Sequence, residues 1–137
     1  MPRAFYFLAA LALVAACDRP GNPAKTRAFA ARALEGTLAY PQSTIVSISA
    51  GDEAAELVLS TPAPVEAVTA WYRSALTLNH WEIKRDTQDR NGAVTIYAER
   101  GSRPLWITLR ANVGGTGTTY TLVGTVVDST KTDSTKR

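Results

Sequence analysis

The chain has 137 residues, of which 45% are hydrophobic and 20% charged, and its formal net charge is +3 at pH 7. This length accommodates one small domain. The composition is typical neither of a disordered chain nor of a strongly basic nucleic-acid-binding protein. A single cysteine cannot form an internal disulfide, and one cysteine with one histidine cannot furnish a zinc cage. We therefore expect a globular domain with no nucleic-acid partner, no metal and no other cofactor.

The N-terminal segment has the pattern of a secretory signal. Arg3 precedes an uncharged apolar run over residues 4–16, which as a helix would reach about 20 Å and is too short for the hydrocarbon core of roughly 30 Å. The run ends in Leu-Val-Ala-Ala-Cys at residues 13–17, and the chain turns polar at Asp18. This ending resembles the lipobox of bacterial lipoproteins.

The resemblance implies cleavage before Cys17 and attachment of a diacylglycerol to its thiol. Residues 1–16 would then be the signal peptide, and Cys17 would tether the protein to a membrane of the bacterial cell envelope, facing the periplasm or the cell surface. Two or three acyl chains make a stable anchor. The alternative is ordinary signal cleavage after Ala16, which would leave a free thiol.

The mature chain divides into three parts. Residues 17–36 comprise the lipid anchor, a linker with two prolines and a glycine, and an alanine-rich stretch at 25–34 that predicts a short helix. Residues 37–127 form the domain. Residues 128–137 are a polar near-repeat that cannot bury a core, so we expect a disordered tail.

Hydrophobic periodicity predicts an α+β fold with about six antiparallel strands in the order ββαββββ and one main helix packed on one face. The helix begins near Pro64, and its apolar arc comprises Val65, Val68, Trp71, Tyr72, Ala75 and Leu76. Thr69 avoids most of that arc, and Asn79 is the predicted left-handed residue at the helix end. The predicted strands are 44–48, 55–60, 81–84, 93–99, 105–111 and 118–127. The segment 86–92 is a predicted loop.

Several packing motifs of the domain are similar to those of a loose group of small uncharacterised bacterial lipoproteins. The motifs are Tyr40-Pro41 before the first strand, Trp71-Tyr72 followed by Arg73 and Leu76 in the helix, and Trp81 at the start of the next strand. The group often has glycine before that tryptophan, where this chain has His80. The resemblance implies a fold and transfers no catalytic residues.

The sheet face away from the main helix is the candidate binding face. If Ile83, Ile96, Ile107 and Leu122 point toward the helix, parity aligns a row of four residues on the other face. That row is Glu82, Tyr97, Trp106 and Val123. An uncovered aromatic row can dock a protein, peptide or glycan. It can also simply stabilise a solvated sheet, or be covered by the predicted helix at 25–34.

Signals for catalysis are few. His80 has no nucleophile or acid at a suggestive spacing, and residues 86–92 lack the distal glutamate of a calcium loop. The sequence therefore predicts no catalytic, metal-binding or cofactor-binding residues. It favours a membrane-anchored, non-enzymatic binding or assembly module. A purely structural membrane-proximal domain is the alternative, and an envelope hydrolase is the less favoured one.

Overall fold

A computed structural model describes residues 22–126. The predicted signal peptide, Cys17, Val127 and the C-terminal tail lie outside these residues. The elements in chain order are α1 (Pro23–Ala33), β1 (Thr44–Ala50), β2 (Ala54–Thr61), α2 (Val65–Leu78), β3 (Glu82–Gln88), β4 (Val94–Arg100), β5 (Arg103–Ala111) and β6 (Thr118–Thr125).

The six strands form one antiparallel sheet in the order β1-β2-β6-β5-β4-β3. The α+β class, the β1-β2 hairpin and the meander from β3 to β6 agree with the prediction from periodicity. The helix predicted at 25–34 is α1. The observed element order is therefore one helix followed by the predicted ββαββββ. Strand β3 continues to Gln88 because Asp86, Thr87 and Gln88 pair with β4, so the first three of the seven residues in the predicted loop 86–92 are strand.

Both helices pack on the same face of the sheet. The main core lies between α2 and the sheet and includes the fully buried Ile96, Ile107 and Leu109. A smaller cluster joins Ala30 and Ala33 of α1 to β2. The register places all these sheet residues on one face, because Leu109 opposes Tyr120 and Gly124 opposes both Leu105 and Ala55. The structure therefore has a helix layer and a sheet layer, and the other sheet face carries no helix among residues 22–126.

The buried stripe of α2 differs slightly from the predicted arc. Its buried residues are Val65, Val68, Thr69, Tyr72 and Leu76, which is the i, i+3, i+4, i+7 spacing of a core-facing helix. Thr69 is thus inside the interface, and its hydroxyl has no hydrogen-bond partner within the described residues. Trp71 is only half-buried and packs edge-on against Tyr40, with ring centroids 5.4 Å apart.

Two buried tyrosines hold the segment between α1 and β1 against the core. Tyr72 donates a hydrogen bond to the Leu38 carbonyl at 2.9 Å, and its ring packs edge-on against Tyr120. The Tyr120 hydroxyl accepts from the Tyr40 N–H at 3.1 Å and lies 2.6 Å from the Ser43 hydroxyl. Burial, with a smaller contribution from Tyr120, raises the pKa of Tyr72 well above its usual value, so this hydroxyl stays protonated and donates.

Helix α1 lies close to the sheet because β6 has a glycine beneath it. A Cβ placed on Gly124 would collide with the Ala33 carbonyl oxygen and the Leu34 side chain. Two arginines of the β4-β5 hairpin hold the C-terminal end of the helix. Arg103 donates to the Arg32 carbonyl at 2.7 Å, and Arg100 donates to the Glu35 carbonyl at 3.1 Å. Cations are favourable at this end of a helix because its last carbonyls lack intrahelical partners.

Helix α2 ends in a Schellman motif. The Trp81 N–H donates to the Leu76 carbonyl at 2.9 Å, and the His80 N–H donates to the Thr77 carbonyl at 3.2 Å. Asn79 has φ −99° and is therefore not left-handed, contrary to the prediction. The left-handed residue is His80, with φ 63°, because this motif places the left-handed turn one residue after the cap.

We expect His80→Gly to stabilise the domain by up to about 1 kcal/mol. Glycine removes the steric cost of a left-handed side-chain-bearing residue, which is about 1–2 kcal/mol, but loses more chain entropy on folding. Thermal unfolding checks the change, and an increase of a few degrees is expected. His80→Ala is the control, since alanine keeps the Cβ. Equal melting temperatures for the two variants would contradict the assignment of strain to the backbone.

We expect Gly124→Ala to lower the free energy of unfolding by about 1–3 kcal/mol, because the added methyl must displace α1 from the sheet. Gly115→Ala is the matched control, since a Cβ at Gly115 meets nothing within 4 Å. Denaturant unfolding of both variants measures the difference. Equal effects would show that α1 does not depend on its close approach to β6.

Candidate functional site on the open sheet face

The sheet face away from both helices carries the aromatic row predicted from the sequence. Tyr97 pairs with Trp106 and Trp106 pairs with Val123 across three neighbouring strands. The two rings are stacked, with centroids 5.1 Å apart and planes 29° apart. Trp106 remains 38% exposed. The row is therefore continuous and accessible among the described residues.

The predicted position of Glu82, the fourth member of the row, is wrong. Glu82 lies on the same face, but it pairs with Glu99, and Arg85 takes the position opposite Tyr97. The reason is a β-bulge between Ile83 and Arg85, which adds one residue to β3 and shifts the register. Ile83 is correspondingly opposite Ala98 on the helix face. The row on the open face is therefore Arg85, Tyr97, Trp106 and Val123, followed by Glu56 of β2.

A second row of hydroxyl side chains runs beside the aromatic one. Thr95 pairs with both Thr87 and Thr108, and Thr108 pairs with Thr121. This threonine row crosses four strands, and Arg110 stands at its flank, opposite Thr119. The face thus combines an apolar aromatic centre with neutral hydrogen-bonding groups and with arginines on two sides. The pairing of these threonines follows from the registers of the three hairpins and sheet contacts that join the strands.

Charged groups at one end of the face are paired with each other. The Tyr97 hydroxyl donates to Glu99 at 2.5 Å, and this hydrogen bond raises the pKa of Tyr97 above its usual value. Lys84 lies 2.7 Å from Glu82, and that contact likewise raises the pKa of the lysine. Lys84 thereby offsets the repulsion between the two facing glutamates, Glu82 and Glu99. Tyr97 therefore stays protonated at neutral pH, and the hydrogen bond from its hydroxyl to Glu99 holds its ring in place.

The first helix does not cover this face. Ala30 and Ala33 of α1 pack on Ala55, which belongs to the helix side of the sheet. Coverage by the helix predicted at 25–34 was one of the three interpretations of the aromatic row, and it is wrong. The small side chains of α1 select the opposite face because only there do Ala55 and Gly124 allow a close approach.

Candidate catalytic and metal-binding side chains are dispersed or used structurally. His80 is exposed at the end of α2. Asp86 accepts two hydrogen bonds from Arg73, at 2.6 and 3.0 Å, and so links α2 to β3. Asp89 accepts the N–H groups of Asn91 and Ala93 and forms the β3-β4 turn. Within residues 22–126, no three His, Cys, Asp or Glu side chains are grouped as metal ligands.

The core between α2 and the sheet is packed with fully buried side chains. The space lined by Tyr72, Leu76 and Trp81 amounts to about 10 Å³, which is at the lower limit for one water molecule. Arg100 closes this region from outside, with its guanidinium 4.8 Å from the centre of the Trp81 ring. None of the helices described in residues 22–126 has the length and hydropathy needed to cross a membrane.

Comparison with known proteins adds one finding. No curated protein and no solved structure matches the chain. A family model described as START domain-like matches residues 41–119, which is more than half of the chain. The match begins at Pro41, after α1, and it includes the first five strands and α2. The chain therefore belongs to the START domain-like family.

Proposed function

We propose that the protein is a non-enzymatic lipoprotein of the bacterial cell envelope, tethered through Cys17, whose domain binds a protein partner on its open sheet face. The observation that carries the binding proposal is the stacked pair of Tyr97 and Trp106, in line with Val123 and left uncovered by both helices. The anchor rests on the lipobox-like residues 13–17. Membership of a START domain-like family is consistent with a binding domain.

A site on the surface agrees with the packing of the core. Tyr72, Tyr120 and Leu109 are all fully buried between α2 and the sheet. Sites for small molecules are usually concave and have volumes of several hundred Å³. The space of about 10 Å³ beside Tyr72 is far below that range, and the depression of about 660 Å³ between α1 and β1 lies outside the core. A ligand the size of a lipid would have to displace the core, whereas the open face is already accessible.

The chemistry of the open face favours a protein partner over a glycan or a small molecule. Trp, Tyr and Arg are the residue types that most often dominate protein interfaces. Here Trp106 and Tyr97 form the centre, and Arg85 and Arg110 lie around it. Threonine hydroxyls supply hydrogen bonds without the desolvation cost of charges. An open strand surface of this kind suits another folded surface.

A purely structural role for the domain is the second candidate. Cross-strand aromatic pairs stabilise a sheet by about 0.2–1 kcal/mol each. The hydrogen bond from Tyr97 to Glu99 shows that this ring is held by its own sheet even without a partner. The structural role predicts that loss of the pair changes stability and nothing else.

We expect the full-length protein to incorporate a fatty acid at Cys17 and to fractionate with membranes. Metabolic labelling with an alkyne fatty acid, followed by mass spectrometry of the mature N-terminus, measures both properties. Cys17→Ser removes the thiol that would carry the diacylglycerol, so label and membrane association should both be lost. An unacylated mature form that remains free of vesicles would refute the anchor, whatever the domain binds.

We expect the double variant Tyr97→Thr/Trp106→Thr to lose partner binding while the domain stays folded. Threonine matches the neighbouring row and is well tolerated in strands. A photoreactive side chain at Arg110, on the open face, should crosslink to a defined protein in native membranes. The double substitution should reduce this product at least tenfold, because loss of interface hot spots costs more than 1 kcal/mol each.

The control for this experiment is the same photoreactive side chain at Ala67, which is exposed on the helix side. It should yield no product that depends on Tyr97 and Trp106. Thermal unfolding of the double variant is measured in parallel. A lowered melting temperature with an unchanged crosslink would refute the binding role and support the structural one.

A further inference from the structure

We propose that the sheet edge formed by β1, together with the first turns of α1, rests on the surface of an anionic lipid bilayer. This inference deepens the proposed function, because it rests on acylation of Cys17. It assigns a membrane-facing edge to the domain, and it thereby determines which edge points away. Tether length, charge and exposed apolar side chains support it independently of one another.

The tether is too short to let the domain leave the membrane surface. Asn22, the first described residue, lies five residues after Cys17. At about 3.6 Å per residue, an extended chain of this length reaches at most about 18 Å. Asn22 caps α1 by accepting the Ala24 N–H at 3.0 Å, so the folded domain begins immediately at this point. The first turn of α1 must therefore lie near the lipid headgroups.

Cations surround this point of attachment. Helix α1 contains Lys25, Arg27 and Arg32, all exposed, and it contains no acidic residue. Each Lys or Arg near an anionic membrane surface contributes about 1 kcal/mol of attraction. Lys25 and Arg27 lie on the N-terminal half of α1, which the tether brings to the bilayer. Arg32 lies at the other end of the helix, where Arg103 donates to its carbonyl.

Exposed apolar side chains lie on the same edge. Ile45 is 55% exposed and Val46 is 61% exposed. Both line an open depression of about 660 Å³, whose other wall includes Pro23, Thr26 and Arg27 of α1. Strand β1, Thr44–Ala50, has no charged residue. Apolar side chains flanked by cations are the combination that binds at a bilayer interface.

The opposite edge of the sheet, formed by β3, is rich in charged residues. Strand β3 contains Glu82, Lys84, Arg85 and Asp86, and five strand spacings separate it from β1. At about 4.8 Å per spacing this distance is about 24 Å. The two edge strands thus differ in both charge and exposed apolar area. If β1 rests on the bilayer, β3 projects into the aqueous space and the open aromatic face stays accessible from the side.

The test uses the full, acylated protein in vesicles of phosphatidylethanolamine and phosphatidylglycerol. Cys17 is the only cysteine, so once it is acylated, an introduced cysteine is the sole free thiol. An environment-sensitive fluorophore is attached at Val46→Cys, and at Thr87→Cys on β3 as the matched control. We expect lipid-borne quenchers to quench the label at 46 at least threefold more than the label at 87.

A charge-reversal pair tests the cationic contribution. Arg27→Glu should reduce quenching at position 46 toward the level seen at 87, because it places a negative charge beside the anionic surface. Arg90→Glu, an exposed change of the same kind in the β3-β4 turn, should leave it unchanged. A similar reduction in quenching at position 46 is expected for the labelled protein without a charge reversal when the vesicles contain phosphatidylcholine alone.

The outcomes separate this inference from the proposed function. If the protein does not float with vesicles, the anchor fails, and the membrane-facing edge fails with it. If the protein floats and the labels at 46 and 87 are quenched equally, the anchor stands and the assigned edge is wrong. Equal effects of Arg27→Glu and Arg90→Glu would likewise overturn the role of α1 in facing the bilayer.

Discussion

The arrangement of this domain depends on the close contact between α1 and β6 at Gly124. A side chain at that position would collide with the Ala33 carbonyl, so a glycine is required for the helix to lie on the sheet. Because α1 packs there, it shares one face with α2 and leaves the other face without a helix. The same contact directs the N-terminal end of α1 toward β1. Both the accessibility of the aromatic row and the proposed membrane-facing edge therefore depend on glycine at position 124.

Polar contacts support this arrangement at the C-terminal end of α1 and in the segment that follows it. Arg100 and Arg103 hold the carbonyls at its C-terminal end, and Arg100 also lies over the Trp81 ring. The following segment is fixed by Tyr72 and Tyr120. The family match starts at Pro41, so these contacts join a helix that lies outside the matched region to the sheet of the matched domain. The first helix is integrated into the fold by specific hydrogen bonds and is more than a linker.

Most of the fold is encoded locally and was predictable. Alternation along β4, β5 and β6 identified the strands, and the turns between them permit the register that aligns Tyr97, Trp106 and Val123, which is the alignment in the structure. Glu82 was not, because a bulge inserts a residue without a distinctive local signal. The face chosen by α1 was also unpredictable, since it depends on Ala55 and Gly124, which lie far away in the chain. His80 departs from local propensity and is held in a left-handed conformation by the Schellman motif.

The two β-bulges have a consequence for how copies of the protein coexist. One interrupts β1 between Ile45 and Ser47, and the other interrupts β3 between Ile83 and Arg85. Because β1 and β3 are the two edge strands of the sheet, each has one side on which no neighbouring strand pairs with its backbone. An uninterrupted row of unpaired N–H and C=O groups would invite neighbouring sheets to merge into a continuous aggregate. Bulges in both edge strands break the regular spacing that such merging requires, and so they disfavour edge-to-edge association of separate copies.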